Sequence, residues 1–482
     1  MSNHRSSTLI KNMIYFFVAS FGTKFISFFL VPLYTSVIPT EAYGVLDLLS
    51  TIVALGLPIL MLDISDAIMF FSYREDTMEG KQQPFIFGMH ILRVSSILLT
   101  VALVITGFIF NSKDMWVYCL YILVLYVNQA ARLNILAYMR STNMVNAIVI
   151  SSIVSSFLSL FLNAFLLLVL RWGVYGLMIS TIAGEMANNA YCFWATKYKK
   201  IRKVAFTLTK EQKHEMIRYS FPLIFTGMAW WVNNSLDRFF IASYCGVAAN
   251  GIYAVANKIP SLLTAVHSVV YQAMQLSVFS EMKSTDSKEY MKKLYTIYNF
   301  VMVLACSVLI VLNKPLAAIL FKGDYFIAWK YVPAMLVSTI LYSVAGYTTI
   351  IAAASSETAI ITVGTISGAI VNAILNFLLI PLCDLYGAVI ATLAGYFVIW
   401  LILLLKVESR LEIRFPKFQS IIMYALLVCQ WIVMLYSKYN IIINIMVLGA
   451  ICVINYRCIH DLWNIALALK NGLKSKFFKS KA

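Results

Sequence analysis

The sequence consists of long apolar runs separated by short breaks that are polar or contain Pro or Gly. A helix needs about 20 residues to cross the hydrocarbon core of a bilayer. Fourteen runs approach or exceed this length. They predict an all-α polytopic membrane protein with about 14 transmembrane helices. The predicted spans are 10–34, 44–71, 84–110, 115–138, 144–170, 173–196, 218–243, 247–279, 294–313, 328–353, 359–382, 385–405, 418–436 and 441–457.

The composition excludes several other classes of protein. The 482 residues are 61% apolar and 12% charged, with a net charge of +17. Soluble domains carry about 25% charged residues, which argues against a soluble multidomain enzyme. A nucleic-acid partner is not expected, because it needs a solvated basic surface. The 8 cysteines include no CxxC pair. They therefore predict neither a metal site nor a disulfide framework, and no cofactor is expected.

The distribution of basic residues predicts the orientation in the membrane. Most of the 38 Lys and Arg residues lie in one alternate set of loops and in the two tails. The positive-inside rule then places both termini in the cytoplasm. The basic tail 458–482 predicts an amphipathic helix on anionic lipid of the inner leaflet, with a plain topology anchor as the alternative. The external loops are too short for a catalytic domain, so an enzyme is not expected.

Two sequence similarities indicate an internal duplication. Tyr175–Gly184 and Tyr386–Gly395 are identical at six of ten positions, and the surroundings of Gly44 and Gly251 share a weaker similarity. Because each unit would contain six spans, the halves should be related by an axis along the membrane normal, with a substrate site between them. The predicted organisation is an N-lobe over 1–196, a basic cytoplasmic linker over 197–217, a C-lobe over 218–406, two extra spans over 407–457, and the tail 458–482.

Several segments, distributed over the chain, resemble one family. They are Lys11–Lys24, Pro32–Thr35, Glu41–Asp47, Tyr219–Leu223, Asp237–Ile241 and Gly251–Lys258. In order and placement they resemble the Wzx-type polysaccharide flippases. These proteins belong to the multidrug/oligosaccharidyl-lipid/polysaccharide (MOP) exporter superfamily.

The resemblance implies a fold, an activity and a location. The fold would be MATE-like, with two six-helix pseudo-symmetric lobes and two extra C-terminal helices. The activity would be translocation of an undecaprenyl-diphosphate-linked oligosaccharide, such as an O-antigen, capsule or exopolysaccharide repeat unit. Alternating access would move this lipid from the cytoplasmic to the outer leaflet of the bacterial inner or plasma membrane. Polysaccharide assembly proteins are candidate partners.

Four basic residues lie deep within the predicted spans. A charge at the centre of a membrane helix costs at least ~2.5 kcal/mol and is a functional candidate by default. Lys24, Arg93, Arg132 and Lys258 are therefore predicted to form a cationic cavity lining. Such a lining can replace the hydration of a lipid diphosphate. The alternative interpretation is pairing with Asp47, Asp63, Asp66 or Glu185 to fasten helices, and snorkelling accounts for part of the placement of Arg93 and Arg132.

Acidic and amide side chains form a second set of candidates. Asp237 and Arg238 are adjacent, so on a helix they point about 100° apart and each should find a partner on another helix. Asp47 or Asp237 is a candidate carboxylate for Na⁺ or H⁺ coupling, whereas a structural ion pair is the favoured interpretation. Polar side chains that could hydrogen-bond sugars, or else join helices, are Asn128, Gln129, Asn163, Asn233, Asn234, Asn257, Gln272 and Asn376.

Two other functions are alternatives to that of a flippase. A multidrug exporter of the same superfamily would need an acidic cavity for cationic drugs, whereas the deep residues here are mainly basic. A membrane glycosyltransferase or polysaccharide polymerase would need a sizeable polar catalytic loop. A flippase for a lipid II or teichoic-acid precursor stays open, because recognition of the diphosphate would look alike.

Overall fold

The computed structural model describes residues 28–281, 287–355, 357–437 and 439–460. This part of the chain is almost entirely helical and contains no β-strand. Its α-helices are α1 Val31–Val37, α2 Thr40–Leu60, α3 Ile64–Arg74, α4 Met78–Phe110, α5 Lys113–Ser141, α6 Val145–Ala164, α7 Gly173–Ala195, α8 Tyr198–Ile201, α9 Lys210–Tyr244, α10 Val247–Ala256, α11 Lys258–Glu281, α12 Ser287–Val311, α13 Asn313–Leu320, α14 Val332–Ala354, α15 Thr358–Leu411, α16 Lys417–Tyr436 and α17 Asn440–Ile454. A π-helical turn, Phe165–Val169, extends α6, and a 3₁₀ helix, Gly323–Lys330, follows α13.

The helices confirm an all-α polytopic membrane protein. Among the described residues, 8 helices are long and apolar enough to cross a membrane. Every predicted span after the first coincides with one helix, with a pair of helices, or with part of α15. Most of the predicted first span, including Lys24, lies outside the described residues, as does the tail beyond residue 460.

Three of these helical segments are interrupted or sharply bent. The second predicted span breaks between α2 and α3, where Leu62 and Asp63 have left-handed backbone conformations with φ of 52° and 48°. The eighth breaks at Asn257, directly before Lys258. In α15, Asp384 has φ 50° and ψ −137°, which separates two helices. Hydropathy separates the two helices of α15, predicted as spans 359–382 and 385–405, but the predicted spans 44–71 and 247–279 run through the other two breaks.

The described helices form two compact units. Unit 1 contains residues up to Lys258 together with Ala318–Ala328 and Gly368–Thr392. Unit 2 contains Ile259–Ala317, Trp329–Ser367 and the chain from Leu393 onward. Unit 1 thus combines the predicted N-lobe and linker with residues 218–258 and with two further segments of the predicted C-lobe. These two segments, 318–328 and 368–392, include predicted external loops. The lobe boundaries at 196 and 218 stay a prediction.

Within unit 2, polar aromatic side chains pack around α12 and α14. The Tyr298 hydroxyl donates to the Ser343 carbonyl at 2.9 Å, and the Tyr347 hydroxyl donates to the Met291 carbonyl at 2.7 Å. The buried His267 of α11 contacts the Tyr298 hydroxyl through Nδ1. These bonds satisfy polar groups that would be costly without partners in an apolar core.

Within unit 1, α2 and α10 cross at two glycines. A Cβ atom built on Gly44 would lie 2.0 Å from the Val247 carbonyl oxygen. A Cβ atom built on Gly251 would lie 2.0 Å from the Thr40 carbonyl oxygen. The contact is reciprocal, because each helix contributes one glycine and, four residues earlier, the carbonyl that lies against the glycine of the other helix. Only glycine allows two helix backbones to approach so closely.

The predicted linker is held against α4 by one buried side chain. The Gln83 side-chain amide donates to the Ala205 carbonyl at 2.9 Å and accepts from the Thr207 N–H at 3.0 Å. The Gln83 side-chain amide thereby hydrogen-bonds to both a carbonyl and an N–H of the linker backbone. The phenyl ring of Phe206, between these two residues, stands edge-on to His90.

We expect Gly44→Ala to destabilise the protein, because the added methyl group would collide with backbone that cannot rotate away. Overpacking of this kind costs about 1–3 kcal/mol. The measurement is the thermal midpoint of the detergent-purified protein, followed by fluorescence-detected size exclusion. Gly449→Ala is the matched control, since nothing lies within 4 Å of a Cβ atom there. Equal midpoints for the two variants would contradict the close crossing.

Candidate functional site

A group of charged side chains lies one turn from the glycine crossing. The Arg238 Nε lies 2.8 Å from the Asp47 Oδ2, which joins α9 to α2. The Asp237 Oδ1 accepts from the backbone N–H of Arg238 at 3.0 Å and lies 3.9 Å from the Arg238 Nη1. The side chains of Asp47 and Arg238 are only 21% and 17% exposed. The guanidinium thus lies between two carboxylates in a mostly buried position.

Residues of α10 complete this group. The Tyr253 hydroxyl donates to the Asp237 Oδ2. The Asn250 side-chain amide donates to the Gly44 carbonyl at 3.0 Å and to the Asp47 Oδ2 at 3.3 Å. Both acceptors lie on α2, so Asn250 stabilises the crossing of α2 with α10 and also positions the Asp47 carboxylate.

Lys258 also belongs to the group. Its side chain lies beside Tyr43, with Asp47 and Arg238 close enough to interact electrostatically. We call Asp47, Asp237, Arg238 and Lys258 the charge cluster. It contains two carboxylates and two cations, so their formal charges cancel. Buried charges are tolerated when they are paired and hydrogen-bonded in this way.

The pairing of α2 with α9 continues away from the charge cluster. The Trp231 indole N–H donates to the Thr51 carbonyl at 3.1 Å. Further along, a Cβ atom built on Gly227 would lie 3.3 Å from the Pro58 Cβ. Residue numbers rise along one helix as they fall along the other, so the two helices are antiparallel. The charge cluster is therefore one part of a longer helix–helix seam.

The same unit brings two predicted external segments together. The Thr35 hydroxyl donates to the Leu320 carbonyl at 2.7 Å and accepts from the Lys322 N–H at 3.2 Å. The Tyr325 hydroxyl donates to the Ile38 carbonyl at 3.0 Å. Residues 30–43 are therefore fastened to residues 318–328 by side-chain bonds to backbone.

A second ion pair joins α5 and α7. The Arg132 Nη1 lies 3.3 Å from the Glu185 Oε1, and their side chains are 38% and 17% exposed. The Arg132 Nε and the Glu185 Oε2 have no hydrogen-bond partner among the described residues. Asn128 lies one turn before Arg132 on α5, and Asn189 lies one turn after Glu185 on α7. The Asn189 side-chain amide donates to the Asn128 carbonyl at 2.9 Å. Arg132 is thus a partly exposed cation whose unpartnered Nε is buried, and two amides lie one turn away.

Arg93 is exposed on α4. It lies in a helix that is long and apolar enough to cross a membrane. An arginine in contact with hydrocarbon is costly, so its guanidinium must face water, a polar headgroup or an anionic ligand. Its guanidinium interacts electrostatically with His90 on the same helix.

The structure therefore separates the predicted site residues. It brings Lys258 together with Asp47, Asp237 and Arg238, and it places Arg132 with Glu185. In the described part of the chain, no ion pair or hydrogen bond joins Arg93 to these residues. In the same ranges no group of three His, Cys, Asp or Glu side chains is placed to hold a metal ion.

Sequence reasoning missed Tyr43, Asn250 and Tyr253 as members of the site. The available signal was the similarity between the surroundings of Gly44 and Gly251, since Tyr43 and Asn250 precede these glycines directly. Tyr253 carried no comparable signal, because a lone tyrosine in an apolar helix is more often a packing residue.

The family model described as Polysaccharide biosynthesis protein matches residues 37–326, which is more than half of the chain. The chain belongs to this family. No protein of curated function matches the sequence. The match includes α2, α9, α10 and the charge cluster.

Solved structures share the fold. Lipid II flippase MurJ in an inward closed conformation has a TM-score of 0.67 and 16% identity, covering 92% of this chain and 99% of that one. An inward-facing multidrug resistance MATE family transporter of the MOP superfamily has a TM-score of 0.66 and 13% identity, covering 82% and 94%. A MOP superfamily transporter from Pyrococcus furiosus, described as having a binding pocket of reversed polarity, has a TM-score of 0.58 and 16% identity, covering 83% and 96%.

Family and fold together confirm the resemblance to the Wzx-type members of the MOP superfamily. The apolar helices make this member of the polysaccharide biosynthesis family a multi-pass membrane protein.

We expect Arg238→Gln to destabilise the protein strongly, because it leaves Asp47 and Asp237 without their cation. Breaking one partner of a buried ion pair costs about 3–5 kcal/mol. Adding Asp47→Asn to this variant should recover part of the loss, and the thermal midpoints of the single and double variants measure it. Lys288→Gln is the control, because its partner Glu412 is 79% exposed. The interpretation fails if both arginine and lysine variants lower the midpoint equally.

Proposed function

We propose that this protein flips an undecaprenyl-diphosphate-linked oligosaccharide from the cytoplasmic to the outer leaflet of the bacterial cell membrane. The substrate is an amphiphile with an anionic diphosphate, a polar sugar head and a long apolar tail. A carrier for it needs accessible cations within the membrane, hydrogen-bonding groups beside them, and a barrier that closes one side.

The accessible pair of Arg132 with Glu185 is the observation that carries the proposal. The Arg132 side chain is 38% exposed, although its Nε is buried and has no hydrogen-bond partner among the described residues. A partly exposed guanidinium can form charge-assisted hydrogen bonds with a phosphate, and it does not first have to leave a buried ion pair. Arg93, exposed on α4, is the second cation that we assign to the diphosphate.

The amides beside Arg132 suit the sugar head. Asn128 and Asn189 lie four residues from Arg132 and Glu185 respectively, which puts each amide on the same face of its helix, one turn away. In this arrangement the diphosphate and the first sugar would bind to adjacent turns of α5 and α7. The Asn189 Oδ1 is buried and has no hydrogen-bond partner in the described ranges, so a sugar hydroxyl that reached it would satisfy an unpaired acceptor.

The charge cluster has a different role in this proposal. Lys258 and Arg238 are matched by Asp47 and Asp237, so they offer little net charge to an anion. With the glycine crossing and the bonds between residues 30–43 and 318–328, they would hold the external side closed while the substrate enters from the cytoplasm. Asp47 or Asp237 would be the carboxylate available for ion coupling when the cluster opens.

We expect Arg132→Gln to slow flipping at least about tenfold, since a hydrogen bond to a charged group contributes about 1.5–3 kcal/mol. The assay is protection of a labelled lipid-linked oligosaccharide in proteoliposomes that contain equal amounts of folded protein. Lys113→Gln removes an exposed cation at the start of α5 and should leave the rate unchanged. Unchanged flipping by both Arg132→Gln and Arg93→Gln would remove the diphosphate role from these residues.

The same vesicles separate the rival functions. A multidrug exporter would move a cationic dye and leave the glycolipid in its original leaflet. A glycosyltransferase or polymerase would extend the labelled glycolipid. If lipid II is flipped and other lipid-linked oligosaccharides are not, the substrate class is a cell-wall precursor.

We place both termini in the cytoplasm, which puts the bend at Asp384 on the external side. Cys383, exposed in the structure, should then react with a membrane-impermeant maleimide in intact cells. Cys383→Ser should abolish that labelling. A cysteine introduced as Lys199→Cys in that variant should react only after permeabilisation, and the reverse pattern would show the opposite orientation.

A further inference from the structure

Residues 197–203, which we call the basic segment, contain five cations in seven positions. They are Lys197, Lys199, Lys200, Arg202 and Lys203. The sequence has no acidic residue between Glu185 and Glu211. The positive-inside rule accounts for the presence of such cations but requires no particular arrangement of them. Their arrangement in the structure is therefore a separate observation.

The basic segment is fixed against unit 1. Lys197 has a left-handed backbone conformation with φ of 55°, which turns the chain sharply after α7. In α8, the ring centroid of Tyr198 lies 4.7 Å from that of Phe193, and Ile201 is only 3% exposed. Directly after the segment, the Gln83 side chain bonds to the linker backbone. The backbone that carries the cations is thus held at both ends.

The five cations are exposed and have no acidic partner in the described stretches of the chain. No ion pair there joins any of them to a carboxylate. Glu79 lines a cavity with Val204, the residue that follows the segment, yet it pairs with none of them. Three cations of unit 2 on the predicted cytoplasmic side are instead paired within the chain, as Lys288 with Glu412, Arg410 with Glu357 and Lys417 with Glu408. The charge of the basic segment is left for a group outside the chain.

Aromatic residues place the basic segment at the membrane surface. Trp194, in the last turn of α7, is 74% exposed, and its ring lies 5.7 Å from that of Tyr191. Tryptophan and tyrosine are enriched where the hydrocarbon meets the lipid headgroups. The basic segment begins three residues after Trp194. Its cations therefore lie at the level of the headgroup phosphates.

The exposed indole favours lipid over a soluble acidic partner. A bilayer would cover the apolar ring of Trp194 and meet the neighbouring cations with phosphate groups at the same time. A soluble acidic protein would match the cations only. Clusters of Lys and Arg directly beside a membrane helix attract anionic lipid in this way.

We propose that the basic segment binds the headgroups of anionic phospholipids of the phosphatidylglycerol type. In the orientation proposed above, these lipids belong to the cytoplasmic leaflet. Because Gln83 joins the linker to α4, lipid bound here would stabilise the linker against the helix that carries Arg93. The binding requires no glycolipid, so it does not depend on the proposed flipping activity.

The test measures binding of phosphatidylglycerol to the purified full-length protein. In detergent micelles, phosphatidylglycerol replaces phosphatidylcholine stepwise, and the thermal midpoint is recorded at each fraction. We expect a saturable rise of about 2 °C or more. Native mass spectrometry should show phosphatidylglycerol retained by the protein. The variant with Lys199→Gln, Lys200→Gln and Arg202→Gln together should lose both signals, since each cation near an anionic surface contributes about fivefold in affinity and three contribute about a hundredfold.

The matched control combines Lys292→Gln, Lys406→Gln and Arg414→Gln. It removes two exposed lysines and one exposed arginine from the predicted cytoplasmic side of unit 2, so both variants have the same net charge. Both should have the unmodified midpoint in phosphatidylcholine, because their substituted side chains are exposed. The control should keep the rise and the retained lipid.

Three results would overturn the proposal. An equal loss in both variants would assign the effect to total charge, and a rise kept in both would exclude the basic segment. A rise produced by soluble poly-glutamate and not by phosphatidylglycerol would assign the surface to an acidic protein.

Discussion

The close backbone approach of α2 and α10 is the contact on which the described site depends. At Gly44 and Gly251, each helix presents a carbonyl oxygen where any other residue would carry a Cβ atom. The approach places Asn250 within reach of both the Gly44 carbonyl and Asp47. With Asp47 held there, Arg238 of α9 has a partner, and Arg238 in turn offsets the buried Asp237. A wider separation would leave each of these groups unpaired in an apolar surrounding.

The deep cations also differ in their surroundings. Lys258 is drawn into a cluster whose carboxylates match its charge, and it is therefore poorly suited to attract an anion. Arg132 has one carboxylate partner and unused hydrogen-bond donors. Arg93 is exposed. Depth in the membrane alone does not distinguish these three residues, because what decides their role is which acidic side chains the neighbouring helices supply.

Hydropathy was sufficient to predict the helices, since apolar length is a property of the sequence itself. The similarity around Gly44 and Gly251 was also visible, yet their mutual contact was not, because it depends on how two distant helices pack. The prediction that Asp237 and Arg238 each need a partner followed from helix geometry, and the structure supplies Tyr253 and Asp47. The break at Leu62 and Asp63 was not predicted, because it lies inside the predicted span 44–71.

The proposed alternating access requires that the crossing of α2 and α10 open, and the charge cluster limits how it can open. Separating α2 from α10 would remove Asn250 from Asp47 and weaken the hold of Asp47 on Arg238. Isolated buried charges cost several kcal/mol each, so the helices cannot part before water or another ion reaches the cluster. The neutral composition of the cluster keeps the closed state compatible with a low dielectric surrounding. Opening of the crossing and hydration of its charges must therefore occur together, which makes the closed state a discrete state and not one of a continuous series.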